Sequence, residues 1–426
     1  MAAITTQAAG ERRIPFASVA SWILYDLANT IFSLNIVSLY FPLWVVNAMG
    51  GTDQQFGNAT ALSMALMFVS APIIGALSDQ APRRLPFLTV STLLAVTFTM
   101  LLGMGGLALS LVFFIAANYF YQAGLIFYDA LLPEVSTEAT RGRVGGLGVG
   151  LGYFGSFIGI GTGLLLLERL DLGYQAVFRA TALLFLLFAL PIFFFLKERP
   201  RRVEPFNLGA VNRAFAEIRT TLSRTSHYPG LGRFLIGRVF YADAANTVIA
   251  FMGIYVTNEL GFTSGQAQII LLLGIVGAIA GGLIGGFIVD HIGPKKTLNL
   301  FLIMWMIVFA LAFGIPTFGL PSALFWAVGL FAGFALGGTW SADRPYMLRL
   351  SPPRYVGQFY GLYAMVGRFA AIIGPFLWGF IVNTLDLGRP VAILSLLVMT
   401  AISFVILQGV SDTPRSWGPD DLPEPA

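Results

Sequence analysis

Asp26-Leu27-Ala28-Asn29-Thr30 and Asp243-Ala244-Ala245-Asn246-Thr247 share the pattern Asp-x-Ala-Asn-Thr, and each interrupts a long apolar run. A second pair keeps nearly the same spacing of roughly 215 residues. Gly75-Ala76-Leu77-Ser78-Asp79 is followed by Arg84, and Gly286-Phe287-Ile288-Val289-Asp290 by Lys295, each base five residues past the aspartate. The chain therefore reads as two similar halves. With six apolar spans in each, corresponding helices cross in the same direction, the arrangement of a parallel repeat.

Composition fixes the surroundings of these halves. Hydrophobic residues make up 57% of the 426 and charged residues 11%, and mean hydropathy is +0.79. Soluble domains carry roughly 25% charged residues because their surface meets water. A surface this poor in charge is one that meets hydrocarbon. A bilayer core of about 30 Å takes roughly 20 apolar residues per helix. Twelve runs qualify: Ala17–Val46, Ala59–Leu77, Pro86–Ala108, Leu111–Leu132, Val144–Leu167, Ala176–Leu196, Leu231–Thr257, Ala267–Val289, Leu298–Phe318, Ser322–Tyr346, Phe359–Val382 and Val391–Val410. The expected fold class is thus an all-α membrane protein of twelve transmembrane helices in two six-helix, pseudo-symmetric halves. Residues 1–196 form the N-terminal half, 197–230 a basic linker, and 231–426 the C-terminal half with a short tail.

Of 25 Lys and Arg residues, 19 fall on the side of the termini and linker, three (Arg169, Arg179 and Arg389) on the opposite side, and Arg238, Arg344 and Arg368 within spans. Positive charge marks cytoplasmic loops, so both termini and the linker are expected in the cytoplasm. The linker reads either as a solvated connection or as a basic surface helix on anionic lipid. Met1–Ile14 is polar and lacks the apolar core of a cleaved signal.

The chain has no cysteine and two histidines, His227 and His291, both in loops. Thiol chemistry, a catalytic metal cluster and a nucleophile–base pair are excluded on that inventory, so no enzyme is expected. No Gly-x-x-x-x-Gly-Lys-Ser/Thr loop occurs, so ATP does not drive it directly. The expected partners are a small-molecule solute, the lipid bilayer and a coupling proton or sodium ion. No cofactor and no nucleic acid is expected, and the chain is read as a monomer.

Carboxylates at mid-membrane cost about 2.5–3.5 kcal/mol on insertion scales and mark function by default. Asp26 and Asp243 lie about ten residues into their spans, with Asn29 and Asn246 three residues on, on the same helix face. They read as the polar lining of a central cavity, or as packing ion pairs with Arg238 or Arg368. Arg368 suits a solute carboxylate through its planar fork, or an internal pair with Asp26 or Asp243. Asp26 is the expected carrier of a coupling proton, with Asp243 ionised against Arg368. Tyr153 and Trp340 are candidates for an amphipathic pocket wall.

Gly75-x-Leu77-x-Asp79-x-x-x-Arg83-Arg84 resembles the signature loop of the major facilitator superfamily, with Pro82 where a glycine is usual. More narrowly, Tyr25-Asp26-x-Ala28-Asn29-Thr30, Phe127-Tyr128-Asp129-Ala130-Leu131-Leu132-Pro133-Glu134 and Gly150-Leu151-Gly152-Tyr153 resemble the autophagy-related vacuolar effluxer family and its bacterial relatives. So do Gly337-Gly338 through Arg344, Phe359-Tyr360-Gly361-Leu362-Tyr363 and Gly367-Arg368. The similarity runs from about residue 18 to 408. It implies alternating access and export of neutral amino acids. It also implies a gate in which Asp79, Asp290, Arg83, Arg84 and Lys295 make charge pairs in one state and break them in the other. Asp129, Asp343 and Arg344, near the ends of the fourth and tenth spans, join that gate. Trp340 and Asp343 stand where relatives commonly have glutamine and serine, which points to a different solute. The function expected is a secondary active transporter of a small polar solute, a neutral amino acid first. A cation-coupled sugar transporter and a non-transporting membrane scaffold are the alternatives.

Overall fold

The computed structural model describes residues 14–51, 53–201, 228 and 230–413. Most of the linker, 202–227, lies outside the described residues. Twelve long helices run through those that are described. The first half holds α1 (Phe16–Ala48), α2 (Asp53–Asp79), α3 (Leu85–Met100), α4 (Gly106–Ala130), α5 (Arg141–Gly163) and α6 (Gly173–Phe195). The second holds α7 (Leu231–Leu260), α8 (Ser264–Ile292), α9 (Pro294–Thr317), α10 (Phe325–Leu350), α11 (Val356–Gly379) and α12 (Gly388–Gln408). Ten of the twelve are long and apolar enough to cross a bilayer by length and composition. The 16-residue α3 is a shorter apolar helix. Each expected span overlaps one of these helices, although the third, Pro86–Ala108, runs past the end of α3 at Met100 into the start of α4.

Burial is arranged for a lipid exterior. Val69, Phe194, Phe376 and Val405 expose two-thirds or more of their surface, whereas Asp243, Asp343, Thr339 and Ser403 are wholly buried. Apolar side chains facing outward and polar ones facing inward suit a bundle whose outer solvent is hydrocarbon.

Packing repeats between the halves. In the first, α1 packs on α5 and α6, α4 on α2 and α3, and α3 on α6; in the second, α7 packs on α11 and α12, α10 on α8 and α9, and α9 on α12. The halves meet through α2 with α11 and α5 with α8. Glycines make the second meeting possible. A Cβ on Gly146 would lie 2.6 Å from the Gly286 Cα, so only hydrogen at these positions lets the two backbones touch.

One repeat escapes a motif-level reading. Leu170-Asp171-Leu172-Gly173 recurs as Leu385-Asp386-Leu387-Gly388, and each follows a π-helical turn, Leu164–Arg169 and Phe380–Thr384. Both aspartates take left-handed backbone, with φ of 48° and 52°, and the glycines follow at 75° and 79°. Asp tolerates that region through its short polar side chain, so the same reversal is encoded twice.

Candidate functional site

Two aspartates fasten the halves together at the bundle end that carries the termini. Asp79, the last residue of α2, accepts the backbone N–H groups of Gly357 (2.9 Å) and Gln358 (2.7 Å) at the start of α11. Asp290, near the end of α8, accepts those of Gly142 (2.6 Å) and Arg143 (3.0 Å) at the start of α5. A helix N-terminus has unpaired N–H groups and a partial positive charge, so a carboxylate there makes strong charge-assisted bonds. Each half thus caps the other's fifth helix. Gly357 permits the approach, since a Cβ there would come within 2.6 Å of the Asp79 Oδ1.

The charge pairs differ from those the sequence suggests. Asp79 pairs with Arg84, as the motif spacing implies, and also with Arg201 at 3.2 Å. Arg201 donates to Ser78 O at 2.9 Å, and its own N–H reaches Pro82 O. Burial, with the Arg84 guanidinium alongside, lowers the Arg201 pKa from its ordinary value. Glu198 accepts the N–H groups of Arg84 and Leu85 at the start of α3. The first linker residues are therefore part of the seal, and nothing in the motif signalled them. Asp290 pairs with Arg143 at 2.8 Å rather than with Lys295, which instead donates to Gln408 O and Val410 O. Arg83 is exposed and forms no ion pair among the described residues.

A second network lies deeper, between α1, α4, α7, α10 and α11. Arg344 of α10 bridges Asp26 of α1 and Asp129 of α4, each at 3.2 Å. The pair crosses from one half to the other over 318 residues of sequence. Tyr128, stacked on Trp22 and Tyr25, lies under the Arg344 guanidinium, and Tyr360 donates to the Arg344 carbonyl. Arg238 of α7 pairs with Asp343 at 3.1 Å and lies 3.5 Å from the centre of the Tyr363 ring. Tyr241 and Tyr363 both donate to Asp343. Trp340 is partly buried, 5.8 Å from Arg238, and Tyr153 is likewise partly buried beside it.

Asp129, Asp343 and Arg344 thus make their ion pairs within this interior network, and none of the three pairs with Asp79 or Asp290 among the described residues. The expected partners for the paired aspartates also change. Asp26 takes Arg344, not Arg238 or Arg368. Arg368, partly exposed within α11, meets the neutral Gln122 of α4, and its Nε is unpartnered. Asp243 has no cation within ion-pair distance among the described residues and accepts the Gly374 N–H at 2.7 Å. Asn29 is buried with both amide atoms unpartnered, while Asn246 is partly exposed.

Equal motifs thus meet unequal partners: Asp26 meets a guanidinium, and Asp243 the backbone of α11. A cleft of 490 Å³ lies at the terminus end beside Arg141, Asp290, Arg349 and Asp412, away from the interior network.

This helix arrangement is shared with solved transporters. The chain matches an outward-conformation structure of FucP, a major facilitator superfamily transporter, with a TM-score of 0.71 and 17% identity, over 93% of this chain and 98% of that one. It matches an outward-facing bacterial homologue of the iron transporter ferroportin with a TM-score of 0.74 and 15% identity, over 93% and 99%. The fold is that of a major facilitator-type membrane transporter, a multi-pass integral membrane protein and not an enzyme. Residues 57–416 match the family model described as vacuole effluxer Atg22 like, and the chain belongs to that family. It is 28% identical to an uncharacterised MFS-type transporter, YxiO, of Bacillus subtilis over 95% of this chain and 97% of that protein. It is 23% identical to autophagy-related protein 22-1 of Emericella nidulans over 63% of this chain and 52% of that longer protein.

Proposed function

We propose that the protein carries a neutral amino acid by alternating access, coupled to protons, with residues 1–196 and 231–426 as the rocking halves. The observation that carries this reading is Arg368, a cation deep in the bundle whose described partner is the uncharged Gln122. An unneutralised guanidinium with a free edge is suited to a carboxylate, which it grips through two parallel N–H bonds. Asn29, with its amide unpartnered, and Asp129 supply acceptors for an ammonium group, so the two ends of a zwitterion find opposite partners. Tyr153 and Trp340 provide an apolar wall for a small side chain. The Arg344 bridge between Asp26 and Asp129 ties solute binding to the relation between the halves.

The test is counterflow of radiolabelled neutral amino acids in vesicles. Losing one charge-assisted grip of about 1.5–3 kcal/mol weakens binding roughly tenfold to a hundredfold. Arg368→Gln should therefore lose that much affinity for amino acids while barely changing affinity for amines that lack the carboxylate. Equal affinity in the variant and the parent would remove Arg368 from the site.

The same reading places the sealed end in the cytoplasm, on the distribution of basic residues. Reporter fusions after Arg224 and after Ala426 should both give cytoplasmic signals. An external signal from either reverses the orientation.

A further inference from the structure

Asp243 is an interior carboxylate that the solute site does not use and that has no ion-pair partner among the described residues, and its surroundings define what it can hold. It is wholly buried, as is Thr247 one turn along α7. The Asp243 Oδ1 accepts the Gly374 N–H, but its Oδ2 and the Thr247 Oγ1 reach no partner at ordinary hydrogen-bond distance, and the Thr247 hydroxyl is the side-chain group that lies alongside the carboxyl. Two orphaned oxygens shut away from water in a membrane interior are costly. Their enclosure also limits the remedy. Even a methyl-sized Cβ on Gly374 would overlap both side chains, so no solute group fits between them.

Ionisable groups on the neighbouring helices are engaged elsewhere. On α11, Arg368 binds Gln122 and Tyr363 binds Asp343; on α10, Arg344 binds Asp26 and Asp129, and Arg349 binds Asp412. On α12, Arg389 binds Glu259, at the end of α7 far from the termini. On α8 and α9, Asp290, His291, Lys295 and Lys296 all lie at the terminus end. None of these forms an ion pair with Asp243.

We infer that Asp243 is a proton-binding site, protonated and occluded in this conformation, and that it carries the coupling proton in place of Asp26. A proton is the one ligand that needs no added volume. It neutralises the carboxylate and turns one orphaned acceptor into an O–H donor, for which the Thr247 oxygen is the nearby unpartnered acceptor. A bare sodium ion would need a shell of oxygens, and the Gly374 N–H presents positive charge to the carboxyl instead. Asn246, partly exposed between Asp243 and Thr247, marks the side from which the proton enters and leaves when the halves move. The step is a simple association: the carboxylate takes a proton from water on one side and returns it to water on the other.

This inference rests on the proposed proton-coupled transport, but its first test does not need the solute. Infrared spectra of the protein in lipid, recorded across a pH titration in light and heavy water, should show a buried protonated carboxyl band that is lost in Asp243→Asn. In vesicles with an imposed pH gradient, Asp243→Asn should bring the accumulation ratio down to about one. An unchanged band in that variant, unchanged gradient-driven accumulation, or accumulation driven by sodium alone would each overturn the assignment. Should Asp243→Asn fail to fold, the near-isosteric Thr247→Val is expected to shift the band, and no shift would overturn it equally. A band that behaves as expected, in a protein that moves no neutral amino acid, would keep the proton site and remove the amino-acid reading.

Discussion

Arg344→Ala should abolish transport and leave the folded protein markedly less stable. Arg344 is the guanidinium that Asp26 and Asp129 share, and the side chains of all three are 16% exposed or less. Removing one partner of a buried ion pair costs about 3–5 kcal/mol, because the other charge stays buried and uncompensated. Two carboxylates would be stranded here, one from each of two helices in the first half. Arg344 also links the two halves, so the variant weakens the connection between solute and rocking along with stability. Arg344→Lys keeps the charge but cannot bridge both carboxylates with a planar fork, and should recover stability in part without recovering transport. Thermal unfolding in detergent and vesicle uptake measure the two effects separately. Uptake near the parent level in Arg344→Ala would show that the bridge is dispensable.

The second large effect is expected at Asp79. Its carboxylate gathers two backbone N–H groups of α11 and the guanidinium groups of Arg84 and Arg201. An asparagine has one acceptor oxygen and turns an NH2 group toward donors. Hydrogen bonds to a charged group contribute about 1.5–3 kcal/mol each, so losing even one changes the balance between open and closed states roughly tenfold to a hundredfold. Asp79→Asn should therefore slow transport by about that factor while solute affinity in detergent stays close to the parent value. Lost affinity in a well-folded variant would place Asp79 in the solute site rather than the seal.

The twelve helices and the two-fold repeat were legible because lipid acts on composition directly: each crossing must be apolar, and each paired motif occupies the same depth. The seal was half legible. The spacing of Asp79 and Arg84 forecasts their pairing, since both lie at one helix end. The partners of Asp290 are backbone N–H groups and Arg143 on α5, which no motif names. The interior network was the least legible part. Whether Asp26 meets Arg344, Arg238 or Arg368 depends on how helices from different halves are rotated against each other, and one sequence carries little record of that.

Rocking of the halves around a terminus-side seal is best tested by distance. The chain has no cysteine, so spin labels can be attached at the exposed positions Arg83 and Lys296, one in each half, after substitution by cysteine. The expected result is a single distance in the parent protein and, when Asp79→Asn is added, a second population at clearly longer distance. One unchanged distance in both proteins, with transport nevertheless impaired by Asp79→Asn, would contradict the seal and the alternating access built on it.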